Sequence, residues 1–300
     1  MKKRGFLVFL VAAVMVFAAC GGRDDEASDP AVIYDGEGFR VELPSEINRI
    51  VSIGPANTEI IMALGFGDAI VAADNNFVYG LDPAVAVLDM WGIDMEHILS
   101  LEPDIIIAAS MIMFAGDPLM VARDLGIAVV YIDFSENLDA VKDDIRFLAQ
   151  ILGVEGAGDV LVANMTAEIA EIRSIVEGIG ERRAVYFEID TSPFTTGGNT
   201  FLNELIETAG GINIFANQRD WFIPSIEEIF VQNPYVILTS TNYIANPVGE
   251  ILGRAGWDVL DAIQNERVFY IDTDSSNRHN HNLVRAIREI AAAIYPEYFE

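Results

Sequence analysis

Two distant segments of this chain obey one pattern, and that repetition constrains the fold more than any other feature. Glu96-x-Ile98, four residues, then Pro103-x-x-Ile106 is matched by Glu227-x-Ile229, four residues, then Pro234-x-x-Ile237. Asn57-Thr58 and Asn199-Thr200 each stand where a helix is expected to open. Val130-Tyr131-Ile132-Asp133 is echoed by Phe269-Tyr270-Ile271-Asp272. The order is the same in both halves, so the chain reads as two copies of one supersecondary unit. Within each copy, apolar runs alternate with helical patterns. Strands are expected at 49–53, 69–73, 104–109 and 129–132, and again at 184–189, 235–238 and 268–271. Helices are expected at 57–65, 95–101, 118–125 and 137–152, then at 200–209, 225–231, 248–255 and 282–295. Apolar strands without alternation belong to a parallel sheet covered on both faces.

Between the copies, Val160, Leu161, Met165, Ile169, Ile172 and Ile175 keep a helical period with no strand, and Gly178 and Gly180 close it. The expected fold is α/β: two doubly wound, Rossmann-like lobes joined by one long α-helix. The lobes occupy 45–155 and 181–300, and the linking helix 156–180. Ligands of such sheets bind beyond the carboxyl ends of the strands, which places a cleft between the lobes. One stiff helix as the joint predicts a small closure angle.

The first residues lie outside this scheme. Met1-Lys2-Lys3-Arg4 is a positive n-region, followed by an apolar h-region and Ala18-Ala19-Cys20, so residues 1–19 read as a secretory signal peptide. Cys20 is the only cysteine, which excludes an intrachain disulfide. A lone cysteine after small residues at this place resembles a bacterial lipobox, although Phe17 stands where Leu is usual. The resemblance implies a lipid-modified Cys20, a tether over 20–44 and an extracytoplasmic location on the cell membrane.

Acidic residues number 46 against 18 basic, for a net charge of −28. That excludes a nucleic-acid binder, which needs a basic face for phosphates. Gly197-Gly198-Asn199 lacks the lysine of a phosphate loop, and Gly65-x-Gly67 lacks the third glycine of a dinucleotide motif. No Gly-x-Ser-x-Gly elbow occurs. His97 has no nucleophile beside it in sequence and reads as a surface residue. With no catalytic constellation and no resident cofactor expected, the chain reads as a binder and not an enzyme.

The ordered blocks Arg49 to Gly65, Met95 to Ala108, Thr200 to Asn213 and Trp257 to Ile271 resemble the class III substrate-binding proteins of ABC importers. Those proteins bind ferric siderophores, haem or cobalamin. The resemblance implies an ABC permease and its ATPase as partners, with Glu96 and Glu227 as one docking carboxylate per lobe and Glu228 adjacent. It also implies a metal-chelate ligand, a ferric siderophore first, with cobalamin or haem as the alternative. A ligand-sensing module for a receptor is the more remote reading.

Loops after the strands supply the expected ligand contacts: Asn57, Phe77, Tyr79, Met111, Phe114, Thr195, Thr196, Arg219, Trp221, Tyr243, Arg278, His279 and His281. Aromatic and methionine side chains suit a large apolar ligand, and the arginines suit its negative groups. The stretch Ser275-Ser276-Asn277-Arg278-His279-Asn280-His281-Asn282 holds two of the three histidines. Three roles stay open for them: a bare-ion pair, contact with a chelate, or a polar loop capping the last helix.

Overall fold

The computed structural model describes residues 31–76 and 80–299. Cys20, Phe77 and Tyr79 therefore lie outside the described residues, as does the signal peptide.

The chain opens with a hairpin, β1 (Val32–Tyr34) and β2 (Arg40–Glu42). It docks where the backbone N–H of Tyr131 donates to Asp35 Oδ2 (3.0 Å) and that of Gly36 donates to the Tyr131 carbonyl (2.9 Å). Ile33, Val41 and Leu43 are buried. These residues fall inside the span expected as tether, and the alternation of Ile33 and Val41 with exposed neighbours is the reason they form a half-buried strand pair instead.

The first sheet contains β3 (Ile50–Ile53), β4 (Ile70–Asp74), β5 (Ala86–Leu88), β6 (Ile105–Ala109) and β7 (Ala128–Ile132). All are parallel, in the order β5-β4-β3-β6-β7. Helices α1 (Pro55–Ala63), α2 (Met95–Ser100), α3 (Met120–Asp124) and α4 (Leu138–Ile151) cover it. The order reverses between β3 and β6, which opens a crevice at their carboxyl ends. Side chains along β6 divide by parity: Ile105 and Ile107 enter one apolar cluster, Ile106 and Ala108 another.

After α5 (Glu155–Glu177) comes the second lobe: β8 (Ala184–Glu188), β9 (Thr195–Thr196), α6 (Phe201–Thr208), β10 (Ile212–Asn213), β11 (Trp221–Phe222), α7 (Ile226–Gln232) and β12 (Val236–Thr239). It ends with α8 (Pro247–Leu252), α9 (Asp261–Gln264), β13 (Val268–Tyr270), α10 (Thr273–Asn277) and α11 (Leu283–Ile294). The parallel sheet runs β10-β8-β12-β13, reversing between β8 and β12, and β9 pairs with β11 as a separate antiparallel ribbon. Both lobes are thus doubly wound, as the alternation predicts.

The long helix is more than a spacer. Val162, Met165, Ile169 and Ile172 are buried on one stripe, and α5 packs on α4 of the first lobe and on α6 and α11 of the second. Gly158 allows the approach to α4: a Cβ there would lie 2.4 Å from Ala149 Cβ. One apolar cluster consequently runs from Ile105 and Ile107 through α4, α5 and α11 to Val185, Phe187 and Leu238 of the second sheet.

Candidate functional site

The first-lobe crevice begins with a sharp strand-to-helix turn. Gly54 has φ of 109° and a Cβ there would meet Ala109 Cβ at 2.9 Å, so only glycine fits. Pro55 follows at the first helical position, where its missing N–H costs nothing. The helix thus starts ahead of Asn57 and Thr58, the polar pair expected to open it. Asn57 is instead buried in the first turn, and Thr58 Oγ1 bonds Ser52 Oγ at 2.8 Å.

Between the lobes lies a cavity of about 210 Å³. Asn57, Ser110, Met111, Asp133, Phe134, Ser135 and Asp144 form its first-lobe walls, and Asn277, Arg278 and His279 close it from the second lobe. A second cavity of about 460 Å³ adjoins at Phe134 and is lined by Asn199, Phe201, Arg219 and Trp221. A third, about 360 Å³, adjoins at Met90 and carries Trp91 and Phe114. The first alone is smaller than pockets for drug-sized ligands, roughly 300–1,000 Å³. A ligand of that size would occupy the connected groove.

An aromatic ladder crosses the groove. His279 sits 4.4 Å from the Phe134 ring and 4.0 Å from the Phe201 ring, centroid to centroid. Trp221 follows at 6.3 Å from Phe201 and stacks with Phe194 at 6.4 Å. Burial drives the His279 pKa down to about 4, against the opposing hydrogen bond to the Ser135 carbonyl, so its ring is neutral near pH 7. Asp144, whose carboxylate takes the Ser135 hydroxyl, is pushed up to about 6, chiefly by burial and further by Asp133 and Asp143.

Arg278 lines the cavity, and its guanidinium is already engaged within the protein. Its guanidinium pairs with Glu59 of α1 and with Asp274 (2.7 Å), and donates to the Asn76 carbonyl (2.8 Å). Asn280 and Asn282 also donate to Glu59, at 2.7 and 2.5 Å. The polar loop therefore fastens the second lobe to the first through one buried carboxylate. Arg278 lines the cavity, but its charge is committed to Glu59 and Asp274.

The two histidines flank this fastening. His279 lines the first cavity, whereas His281 lines a polar cavity of about 540 Å³ on the other side with Glu59, Asp272 and Asp274. Burial lowers the His281 pKa, and its Nδ1 is buried without a hydrogen-bond partner. Facing separate cavities, they do not form one chelating pair, and among the described residues no group of three or more His, Cys, Asp or Glu is arranged for a metal ion.

Other expected contacts divide similarly. Met111 faces the first cavity, and Arg219 and Trp221 the second. Among the described residues Arg219 makes no side-chain ion pair or hydrogen bond, leaving its charge available. Phe114, 97% exposed, belongs to the third cavity. Thr195 and Thr196 are completely buried; their hydroxyls go to the Phe187 carbonyl (2.6 Å) and to Thr200. Tyr243 lies outside these cavities, its hydroxyl donating to Asp190 at 2.9 Å. The glycine pair is explained by packing: a Cβ on Gly198 would lie 2.1 Å from the Ala216 carbonyl oxygen, so these residues let the 216–220 backbone approach and present Arg219 and Trp221.

Sequence reasoning missed Trp91, Phe134, Asp144, Phe201 and Glu59. Trp91 is 66% exposed just after β5, whose three residues are too short to signal a strand. An aromatic beside Gly92 after the apolar run 86–88 was the available sign.

Glu96 and Glu227 are exposed in the first turns of α2 and α7. Each helix precedes a strand at the centre of its sheet, β6 or β12, and Glu227 and Glu228 line a cavity of about 370 Å³ that shares no residue with the inter-lobe cavity. Ser225 and Glu228 form a capping box (3.2 and 2.9 Å), which commits Glu228 to the helix end and leaves Glu227 free.

A family model described as periplasmic binding protein matches residues 50–275. The chain is 30% identical, over its full length and that of its relative, to the uncharacterized ABC transporter substrate-binding lipoprotein YvrC of Bacillus subtilis. It is 30% identical to a vitamin B12-binding protein of Vibrio cholerae, covering 82% of this chain and 89% of that one. The periplasmic heme-binding protein RhuT of Roseiflexus sp. RS-1, in apo form, superposes with a TM-score of 0.71 at 27% identity, covering 84% and 99% of the two chains.

Proposed function

The chain belongs to the periplasmic binding protein family, and from that premise we propose that it captures a metal chelate between its lobes and delivers it to an ABC permease. The carrying observation is the connected groove at the strand ends, walled by Phe134, His279 and Phe201 and open toward Trp91, Phe114 and Trp221. Its flat apolar walls suit a bulky, rigid ligand. Of such ligands, the ferric siderophore is the reading taken from the sequence. The names of the relatives support a corrinoid or haem instead, a second reading favoured by the ring-lined walls.

On this proposal Cys20 carries the lipid and holds the protein on the outer face of the membrane. The lipoprotein relative supports that anchoring, and no described helix is long and apolar enough to cross a membrane. Glu96 and Glu227 dock the two lobes on the permease, whose ATPase drives import. Two fixed carboxylates set register and speed encounter more than they add affinity.

The test is a tryptophan-fluorescence titration of the chain beginning after Cys20 against ferric siderophores, haemin and cyanocobalamin, with inner-filter controls. Saturable quenching by one compound, reduced in Trp221→Ala, is expected. Absence of binding by all three classes would overturn the chelate role.

A further inference from the structure

We infer that the inter-lobe cavity admits a chelate end that donates hydrogen bonds and carries no negative charge, with Asp144 enforcing this against carboxylate-bearing ligands. This selection presupposes the chelate-capture role proposed above. It follows from where the polar atoms of the cavity are already spent. The Ser110 hydroxyl donates to Asp133 Oδ1 and the Ser135 hydroxyl to Asp144 Oδ2. The Arg278 guanidinium is held by Glu59, Asp274 and the Asn76 carbonyl. His279 gives its N–H to the Ser135 carbonyl. Asn57 Nδ2 makes a long contact to the Ile53 carbonyl, 3.5 Å, so among the described lining residues the side-chain donors left over are neutral amide N–H groups, on Asn57 and on Asn277, whose Oδ1 takes the Ser276 hydroxyl.

Beside those neutral amides, what remains is a set of acceptors that includes two carboxylates. Asp133 Oδ2, Asp144 Oδ1 and Asn57 Oδ1 accept no hydrogen bond from the described residues. At pH 7 Asp144 is mostly ionised despite its burial. A ligand carboxylate entering here would meet two carboxylates and, among the described residues, no uncommitted cation, a like-charge juxtaposition that recognition disfavours. An amide or amine edge would instead satisfy three acceptors. Arg219, uncommitted among the described residues, lies in the neighbouring cavity together with Glu136 and Asp220, so an anionic portion of the ligand finds an uncommitted cation there and none in the first cavity.

The chemistry is shared by an amide-fringed corrinoid and an amide-rich ferric trihydroxamate. Equilibrium dialysis would compare cyanocobalamin, its derivative with side-chain amides hydrolysed to carboxylates, haemin and a ferric trihydroxamate, on the wild-type chain, Asp144→Asn and Asp133→Asn. We expect the wild type to bind cyanocobalamin or the trihydroxamate, and whichever binds identifies the source. The carboxylate derivative and haemin should bind at least about tenfold more weakly, and Asp144→Asn should recover about tenfold for them while changing the amide-bearing ligand much less. Asp133→Asn should act in the same direction. Equal or tighter wild-type binding of the carboxylate probes, or uniform weakening of all probes by Asp144→Asn, would overturn the selection while leaving chelate capture standing. Failure of all four probes on the wild type would remove chelate capture, and the selection with it.

Discussion

His279 shows how a residue type can be visible in sequence while its role is not. A histidine between Arg278 and Asn280 suggests an exposed or metal-binding ring, yet the structure places it between Phe134 and Phe201 from opposite lobes. Neither neighbour is near it in sequence, so no local pattern announces the stack. The same holds for Arg278: its partner Glu59 is 219 positions away. A buried, neutral ring has a consequence for stability. Its folded pKa, about 4, lies below the ordinary value of 6.5, so the unfolded chain binds the proton more readily. The stabilisation is full above about pH 6.5 and is lost as pH falls through 4, by up to about 3 kcal/mol from a shift of this size. Asp144 works oppositely, its raised pKa removing stability as pH rises through about 6. The difference between wild type and His279→Phe isolates the histidine. Urea titrations from pH 7 to 4 should show the wild type losing about 3 kcal/mol relative to the variant. Parallel curves would mean that the ring is hydrated and titrates normally.

Among elements, those with a cap and a sustained period were legible. The helices expected to begin at Asn137 and Ser225 form as α4 and α7, with those two residues as their caps, and α5 follows its apolar stripe. Elements defined by a distant partner were not: β9 and β11 are two residues each and exist only because Thr195–Thr196 pairs with Trp221–Phe222. At α1 the decisive signal, Gly54-Pro55, was present but outweighed by the polar pair that follows. The capping box of α7 connects element stability to partner recognition. Removing the cap in Ser225→Ala should cost about 1 kcal/mol in denaturant unfolding. It should also weaken permease docking, because the first turn that carries Glu227 loosens. Glu227→Gln should weaken docking, measured with permease in lipid nanodiscs, while leaving unfolding nearly unchanged. If Glu228→Gln impairs docking as much as Glu227→Gln without any loss of stability, the adjacent acid shares the interface and its commitment to the cap is not limiting.

At the scale of the whole molecule, the two-lobe plan was readable because the repeat preserves spacing, but the stiffness of the joint has two sources and the sequence displayed only one. The long helix was visible. The continuous apolar cluster through α4, α5 and α11, and the fastening of Arg278, Asn280 and Asn282 to Glu59, emerge only when the lobes meet. A large rotation would have to expose part of that apolar cluster to water and break the Arg278–Glu59 pair together with the Asn280 and Asn282 hydrogen bonds. Closure on ligand should therefore change the radius of gyration by under about 1 Å in solution scattering, in keeping with the backbone displacements of about 1 Å or less at pre-organised interfaces. Glu59→Ala tests which source dominates. Removing one member of a buried pair should cost about 3 kcal/mol, and if the fastening sets the lobe angle, the ligand-free variant should scatter as a more open particle that compacts on ligand addition. Equal scattering of variant and wild type, with the stability loss present, would assign the rigidity to the apolar cluster alone. Compaction of the wild type by several ångström would show that neither holds the lobes.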